Sequence, residues 1–138
     1  TVTSAFFVPG IPAPQGSKRH VGNGRMIESS RKVGPWRDAV ALAARAAVCT
    51  PIDGPVRVRM AFRLPRTKAM RHKPAPPMVQ KPDLDKLVRS TLDALTGIAF
   101  HDDSQVTEVS AMKRRADPDE ETGALILIAP DRNAGKMP

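Results

Sequence analysis

The sequence predicts an α+β domain in which a single mixed β-sheet carries two packed helices, in the order β-α-β-α-β-β. Residues 56–64 alternate strictly between apolar and polar side chains, which is typical of a strand with one buried face. Residues 83–95 instead repeat their apolar side chains at helical spacing. Neither an internal repeat nor a linker interrupts the 138 residues, so we expect one domain over residues 1–138.

The first part of the chain predicts a short strand followed by a basic loop. Residues 5–8 form an apolar run that is typical of a buried strand. The loop at about 9–34 is rich in Pro, Gly and basic residues, and Asn23-Gly24 favours a tight turn, which predicts a small exposed ribbon at 20–27. The loop suits contact with a phosphate backbone, although a solvated loop would have the same composition.

A helix and the most regular strand of the chain follow. Pro35 suits the first turn of a helix, and Thr50-Pro51 ends it. We interpret Trp36 as a core anchor of this helix. The strand at 56–64 places its apolar residues inward and three arginines on an open face, where they either contact nucleic acid or keep that face hydrated. These residues are Arg57, Arg59 and Arg63.

A basic loop at 65–82 connects this strand to the second helix. It contains five prolines, several Lys and Arg residues and no acid. Such a composition excludes a long regular element and makes the loop a candidate for disorder that resolves on binding a ligand. Because the loop leads directly into Asp83, it brings cations beside the first acidic residues of the second half.

The last part of the chain predicts a helix and two strands. Asp83 is a good N-cap, and Gly97 ends the helix. Residues 105–112 alternate loosely and residues 124–129 form an apolar run, from which we predict an antiparallel hairpin of two strands. The tail at 130–138 is predicted to be flexible.

Charge divides the chain into two unequal parts. The net charge is +8 and the pI about 10.4, but residues 1–80 carry 14 basic and three acidic residues, whereas the remainder has a net charge of −3. A surface this basic attracts polyanions such as nucleic acid. Aromatic residues amount to only 4% of the chain, so phosphate contact and shape are the expected modes of recognition rather than base stacking.

Composition also excludes several classes of protein. The single Cys49 forms no intramolecular disulfide, and no Cys/His spacing matches a zinc site. The sequence shows neither a signal peptide pattern nor a run of about eighteen apolar residues that would span a membrane. We therefore expect a cytoplasmic protein with no membrane association and no small-molecule cofactor.

Four aspartates form two acidic groups that could converge on one point. Asp83 and Asp85 lie at the predicted helix start, and Asp102 and Asp103 directly precede a predicted strand. Carboxylates held close together repel each other unless a cation lies among them, and oxygen ligands suit a hard divalent ion such as Mg²⁺. The alternative is structural: an N-cap at Asp83, a favourable charge on the helix dipole at Asp85, and a turn at 102–103.

These residues resemble the RusA family of Holliday junction resolvases, particularly its phage and prophage members. The resemblance lies in Lys81-Pro82-Asp83-Leu84-Asp85, in Asp93-Ala94-Leu95 and in Asp102-Asp103-Ser104-Gln105-Val106. The segment from Pro12 to Arg19 and the pair Trp36-Arg37 are also similar to that group. The resemblance implies a homodimeric, Mg²⁺-dependent endodeoxyribonuclease that cuts four-way DNA junctions by paired symmetric incisions, with Mn²⁺ as a substitute metal.

The same resemblance assigns roles to individual residues. Asp83, Asp85 and Asp103 match the metal-binding aspartates of the family, and Asp102 matches an acidic neighbour. Arg89 stands where many members have a catalytic lysine, and Lys86 is a second candidate for a catalytic cation. The basic loops supply the expected DNA contacts, which are Lys18, Arg19, Arg25, Arg66, Lys68, Arg71, Lys73 and Lys81.

Two other functions remain open on the sequence alone. One is an architectural DNA-binding module in which the acids are structural. The other is a nuclease that tolerates several branched DNA structures, such as flaps and forks. All three functions predict salt-sensitive DNA binding, so only cleavage distinguishes them.

Overall fold

The structure is a computed structural model that describes residues 4–16, 18–21, 25–28, 31–48 and 50–137, without the side chains of 18–21 and 25–28. The predicted Asn23-Gly24 turn, Cys49 and the side chains of three predicted DNA contacts therefore lie outside the described residues. Those contacts are Lys18, Arg19 and Arg25.

The elements follow the predicted order, with a small ribbon added between the first strand and the first helix. Residues 18–28 contribute the two short antiparallel strands of that ribbon, as predicted from the loop composition. The elements are β1 (Ser4–Pro9), β2 (Lys18–Val21), β3 (Arg25–Glu28), α1 (Val33–Ala47), β4 (Val56–Leu64), α2 (Leu84–Leu95), β5 (Val106–Arg115) and β6 (Gly123–Pro130), with single-turn 3₁₀ helices at Lys68–Met70 and Asp103–Gln105.

The main sheet is mixed and has the strand order β1-β6-β4-β5. The predicted antiparallel hairpin of β5 and β6 is wrong, because β4 lies between them, parallel to β5 and antiparallel to β6. Burial explains the arrangement. Strand β6 is largely buried and suits an interior position, whereas most of β5 is exposed, which suits an edge. The path β4-α2-β5 is a crossover, and a crossover connects parallel strands.

Both helices cover the face of the sheet onto which the apolar residues of β4 point. The buried residues of α1, α2, β4 and β6 form one hydrophobic core. Trp36 is 1% exposed, and its indole Nε1 donates a hydrogen bond of 3.2 Å to Thr91 Oγ1, which joins the two helices. The prediction that Trp36 anchors the core is confirmed.

The opposite face of the sheet carries the arginines predicted there. Arg57 and Arg59 are exposed. Arg63 is partly covered, since its guanidinium lies 5.0 Å from the centre of the Phe7 ring and 3.5 Å from the carboxylate of Glu120. The inward and outward pattern of β4 therefore agrees with the sequence prediction.

The beginning of the predicted flexible tail is packed against the sheet. Asp131 is 9% exposed, its carboxylate accepts a 2.7 Å hydrogen bond from Thr107 Oγ1, and its backbone N–H donates to Pro55 O. Within the described ranges, no helix is both long and apolar enough to cross a membrane.

Candidate active site

Asp83 and Asp85 lie at the start of α2 with their carboxylates exposed. Asp83 occupies the N-cap position with an extended backbone, yet its side chain makes no capping hydrogen bond. Among the described residues, neither carboxylate has a hydrogen-bonding or ionic partner. Asp83 therefore occupies the N-cap position that the structural alternative predicted, but it makes no capping bond. Both carboxylates are available to a ligand.

The backbone that carries Asp83 is held by a residue of β5. Lys113 Nζ donates hydrogen bonds of 2.8 Å to Gln80 O and to Pro82 O, directly before Asp83. This contact spans more than thirty residues of sequence. No local pattern in the sequence marks it, so the sequence analysis did not find Lys113.

The loop at 11–16 holds the side of α2. Ser90 Oγ donates a 2.7 Å hydrogen bond to Ala13 O, and the backbone N–H of Gln15 donates to Lys86 O over 3.0 Å. Pro12 and Ala13 are buried. This part of the basic loop at 9–34 therefore packs on the helix that carries the acids.

Asp102 has a structural role in the second acidic group. Its carboxylate accepts a 3.0 Å hydrogen bond from the backbone N–H of Ser104 and caps the 3₁₀ helix, as the alternative of a turn required. That N–H, together with a hydrogen bond shared with Asp103, holds the pKa of Asp102 below its ordinary value. The spacing Asp-x-x-Gln at 102–105 is a capping-box pattern that marks this role in the sequence.

Gln105 completes the turn and fastens it to the neighbouring loop. Its Oε1 accepts hydrogen bonds from the backbone N–H groups of His101 (2.8 Å) and Asp102 (3.0 Å). Its Nε2 donates to Ile52 O and Gly54 O, each at 2.8 Å. One side-chain amide therefore fixes the loop that carries both acids of the second group.

Asp103 is exposed and lies within electrostatic reach of α2. Partial desolvation raises its pKa above the ordinary value, and the nearby carboxylates of Asp102 and Asp93 raise it further, whereas the guanidinium of Arg89 lowers it. The structure therefore places Asp103 beside the second half of α2. Asp93, which was not among the predicted site residues, belongs to this acidic group.

Helix α2 links the two groups through one row of charged side chains. Asp85, Arg89 and Asp93 follow one another at four-residue spacing, which puts them on one helix face. Asp85 and Asp93 are about 12 Å apart along the helix axis. Arg89 lies between them, so the predicted catalytic cation has carboxylates on both sides. The spacing of four residues is the signal that identifies Asp93.

The carboxylates fit Mg²⁺ in kind, since they offer only oxygen. In the part of the chain that the structure describes, no three His, Cys, Asp or Glu side chains come together as a ready-made metal site. Mg²⁺ usually takes one or two protein carboxylates and completes its shell with waters and substrate phosphate oxygens. Asp83 and Asp85 are sufficient for that kind of site, and Mg²⁺ binding stays a prediction.

A cleft of about 610 Å³ opens beside the start of α2. Asp83 and Lys86 contribute to its lining, whereas Asp85 does not. The predicted cations of α2 therefore face different surroundings, with Lys86 at the cleft and Arg89 on the acidic row. The basic residues that line the cleft are Lys32, Arg66, Lys81, Lys86 and Arg115.

The basic loop at 65–82 has more internal order than its composition predicts. The guanidinium of Arg66 donates to the backbone carbonyls of Arg71, Lys73 and Ala116, so it holds the loop on the body of the protein. Arg66 was predicted to contact DNA, and the contacts seen in the structure are instead internal. The other predicted DNA contacts of the loop are exposed, namely Lys68, Arg71, Lys73 and Lys81.

The fold and the site together define an α+β domain that presents exposed carboxylates beside a basic cleft, an arrangement suited to hydrolysis of a polyanion. The sequence model of the family described as Endodeoxyribonuclease RusA matches residues 9–123. The chain therefore belongs to the RusA endodeoxyribonuclease family, which confirms the resemblance found in the sequence. The matched range includes both acidic groups and β4, and family membership implies an endonuclease that resolves Holliday junctions. A comparison with curated proteins gave no significant match.

Proposed function

We propose that this protein is a homodimeric, Mg²⁺-dependent endonuclease that cuts four-way DNA junctions by paired symmetric incisions during recombination or repair. The observation that carries the proposal is the pair of exposed carboxylates at the start of α2, Asp83 and Asp85, which have no partner among the described residues. Asp83 also lines a basic cleft. Family membership supports the reaction class.

The acidic residues have distinct roles in this proposal. The residues that would hold the metal are Asp83 and Asp85, at the start of α2, and Asp103, on the loop before β5. Mg²⁺, or Mn²⁺ in its place, would supply Lewis acidity that activates water and neutralises charge on the leaving 3′ oxygen. Asp102 orients the loop through its bond to Ser104 and is at most an outer neighbour of the metal.

The two cations of α2 act on different parts of the substrate. Arg89 lies among Asp85, Asp93 and Asp103, where its guanidinium donates hydrogen bonds to the phosphate that undergoes attack. The planar guanidinium of Arg89 suits paired hydrogen bonds to a phosphate, so its role is to stabilise charge. Lys86 lines the cleft and attracts the phosphates that flank the cut.

A dimer follows from the symmetry of the substrate. Resolution of a two-fold symmetric junction requires two incisions in strands of like polarity, and a C₂ dimer presents two identical sites with the same symmetry. The exposed cations of the 65–82 loop then guide the arms of the junction toward both sites. These cations include Lys68, Arg71 and Lys73.

The proposal is tested on a synthetic four-way junction with and without Mg²⁺, with the products resolved on a denaturing gel. Asp83→Asn, Asp85→Asn and Asp103→Asn should each reduce cleavage by at least about 100-fold, because even residues that only support a metal ligand cost about 10–100-fold. Junction binding should persist, since each change removes negative charge that faces phosphate. Asp119→Asn, at an exposed acid of the turn before β6, is the matched control.

The same assay separates the alternatives. Symmetric paired cuts that require metal and disappear in Asp85→Asn establish the resolvase. Tight binding without cuts under any divalent metal would instead identify an architectural module. Equal cleavage of junction, flap and plain duplex at the same concentration would identify a structure-tolerant nuclease.

A further inference from the structure

The cleft beside Asp83 has an apolar floor built from three separate segments. Ala13 comes from the 11–16 loop, Leu64 from the end of β4 and Met78 from the 65–82 loop, and all three are buried. Hydrogen bonds fix these segments to the body of the protein: Ser90 Oγ binds Ala13 O and Arg66 Nη1 binds Ala116 O. The cleft is therefore preformed.

The rim of the cleft has a strong excess of positive charge. Among the described residues, five basic side chains line it against a single acid, Asp83. Arg115 donates from Nη1 to Pro65 O at 2.9 Å, while its buried Nε has no hydrogen-bond partner among the described residues. A buried donor without a partner is costly, and an anion against this guanidinium would offset that cost.

We propose that the cleft binds a single unpaired nucleotide of the DNA strand, next to the phosphodiester that is cut. The phosphate of this nucleotide lies against Lys81 and Arg115, and its sugar and base lie on the apolar floor. This inference rests on the proposed nuclease function, because Asp83 belongs to both the cleft and the acidic site.

Size and chemistry together select this ligand. The volume of about 610 Å³ falls within the usual range for small-ligand sites, about 300–1,000 Å³. It is too small for a double helix, whose major groove alone is about 12 Å wide. A small inorganic anion would leave the apolar floor uncovered, whereas a nucleotide matches both the floor and the charged rim. A branch point supplies such a nucleotide at low cost, because unpairing is cheapest where pairing is already disturbed.

No aromatic residue that the structure describes lines the cleft, and this predicts which contacts supply the affinity for the nucleotide. The base has only proline, methionine and aliphatic surfaces to lie on, among them Pro12, Pro14 and Met78. Stacking on aromatic rings is therefore not the source of affinity. Phosphate contact should dominate, so binding should weaken steeply with salt and depend little on the identity of the base.

The proposal is tested by NMR on the full chain with ¹³C-methyl-labelled methionine, titrated with 5′-phosphorylated dithymidylate in EDTA. The Met78 methyl signal should shift and saturate, whereas the signals of Met60 in the core and Met112 on the open sheet face should not move. Lys81→Gln should weaken the affinity about tenfold, the loss expected for a charged hydrogen bond. Lys136→Gln, an equal charge change beside the opposite end of β5, should leave it unchanged.

Three results would overturn the proposal: no shift of Met78, an equal loss of affinity in both lysine variants, or the same Met78 shift with inorganic phosphate alone. The last result would show a simple anion site. Because EDTA prevents metal-dependent cleavage, the titration does not depend on catalysis. Junction cleavage without nucleotide binding would overturn this inference and leave the proposed function intact. Nucleotide binding without junction cleavage would overturn the proposed function and leave the cleft as a nucleotide site.

Discussion

The two acidic groups near α2 both consist of aspartates, but the surroundings of these aspartates differ. At the helix start, Asp83 and Asp85 are exposed and have no partner among the described residues. In the loop before β5, Asp102 is engaged in a cap and Asp103 carries a charge that its neighbours disfavour. The difference shows that environment, rather than residue type, separates a carboxylate available to a ligand from one that builds a turn.

Each group is also held in place by one polar side chain outside it. Gln105 fixes the loop of Asp102 and Asp103, and Lys113 fixes the backbone before Asp83. Gln105 makes four hydrogen bonds and Lys113 makes two. Removing either anchor tests whether the geometry of its acidic group matters for cleavage.

The largest effect on stability is expected for Gln105→Ala. It removes four hydrogen bonds, each worth about 0.5–1.5 kcal/mol, so the free energy of unfolding should fall by about 2–6 kcal/mol. Denaturant unfolding measures the loss. Gln80→Ala is the control, because the exposed Gln80 side chain makes no hydrogen bond within the described structure. Junction cleavage at a temperature where both variants are folded should fall only in Gln105→Ala.

Gln105→Glu separates the two halves of this anchor. Glutamate can still accept from the N–H groups of His101 and Asp102, but it cannot donate to Ile52 O and Gly54 O. The variant should therefore lose about half as much stability as Gln105→Ala, or more where its charge repels Asp102. Equal stability of wild type and both variants would contradict a positioning role.

A smaller loss is expected for Lys113→Met. The change leaves two backbone carbonyls without their donor at the segment before Asp83, which should cost about 1–3 kcal/mol. Cleavage should fall with little change in junction binding, because Asp83 loses its fixed position. Lys136→Met controls for the lost charge. If cleavage by Lys113→Met stays at the wild-type level, the anchor of Asp83 has no catalytic importance.

Elements whose structure follows from local periodicity were predicted correctly from the sequence. Residues 56–64 alternate with period two, and the residues after Asp83 repeat with period 3.6, so β4 and α2 were predicted with nearly the observed bounds. The motif also selected the acids of the candidate site, whose roles stay predictions. These features lie in neighbouring residues and need no knowledge of the rest of the fold.

Features that depend on residues far apart in the sequence were not predicted. The pairing of β5 with β4 instead of β6 is set by burial of whole strands and by the crossover through α2. Lys113 reaches Pro82 across more than thirty residues, and Gln105 reaches Ile52 and Gly54 across more than fifty. Neither of these contacts leaves a local pattern in the sequence. The role of Asp102 was the exception, since the Asp-x-x-Gln spacing marks it.

The variants Asp102→Asn and Asp103→Asn distinguish the two neighbouring aspartates when their thermal stability is measured without divalent metal. The pKa of Asp102 is lowered, so its carboxylate stabilises the fold above its ordinary pKa of 3.8, and this contribution is lost as the pH falls through the lowered value. The pKa of Asp103 is raised, so its carboxylate destabilises the fold at neutral pH, and this penalty disappears as the pH falls below 3.8.

The two substitutions should therefore change the melting temperature in opposite directions at pH 7. Asp102→Asn should lower it modestly, since asparagine can still accept from Ser104 N–H but loses the charge. Asp103→Asn should raise the melting temperature, because it removes a negative charge that Asp102 and Asp93 repel. The same substitution should abolish cleavage. A lower melting temperature in both variants would show that Asp103 is structural, and the distinction between the two neighbouring aspartates would fail.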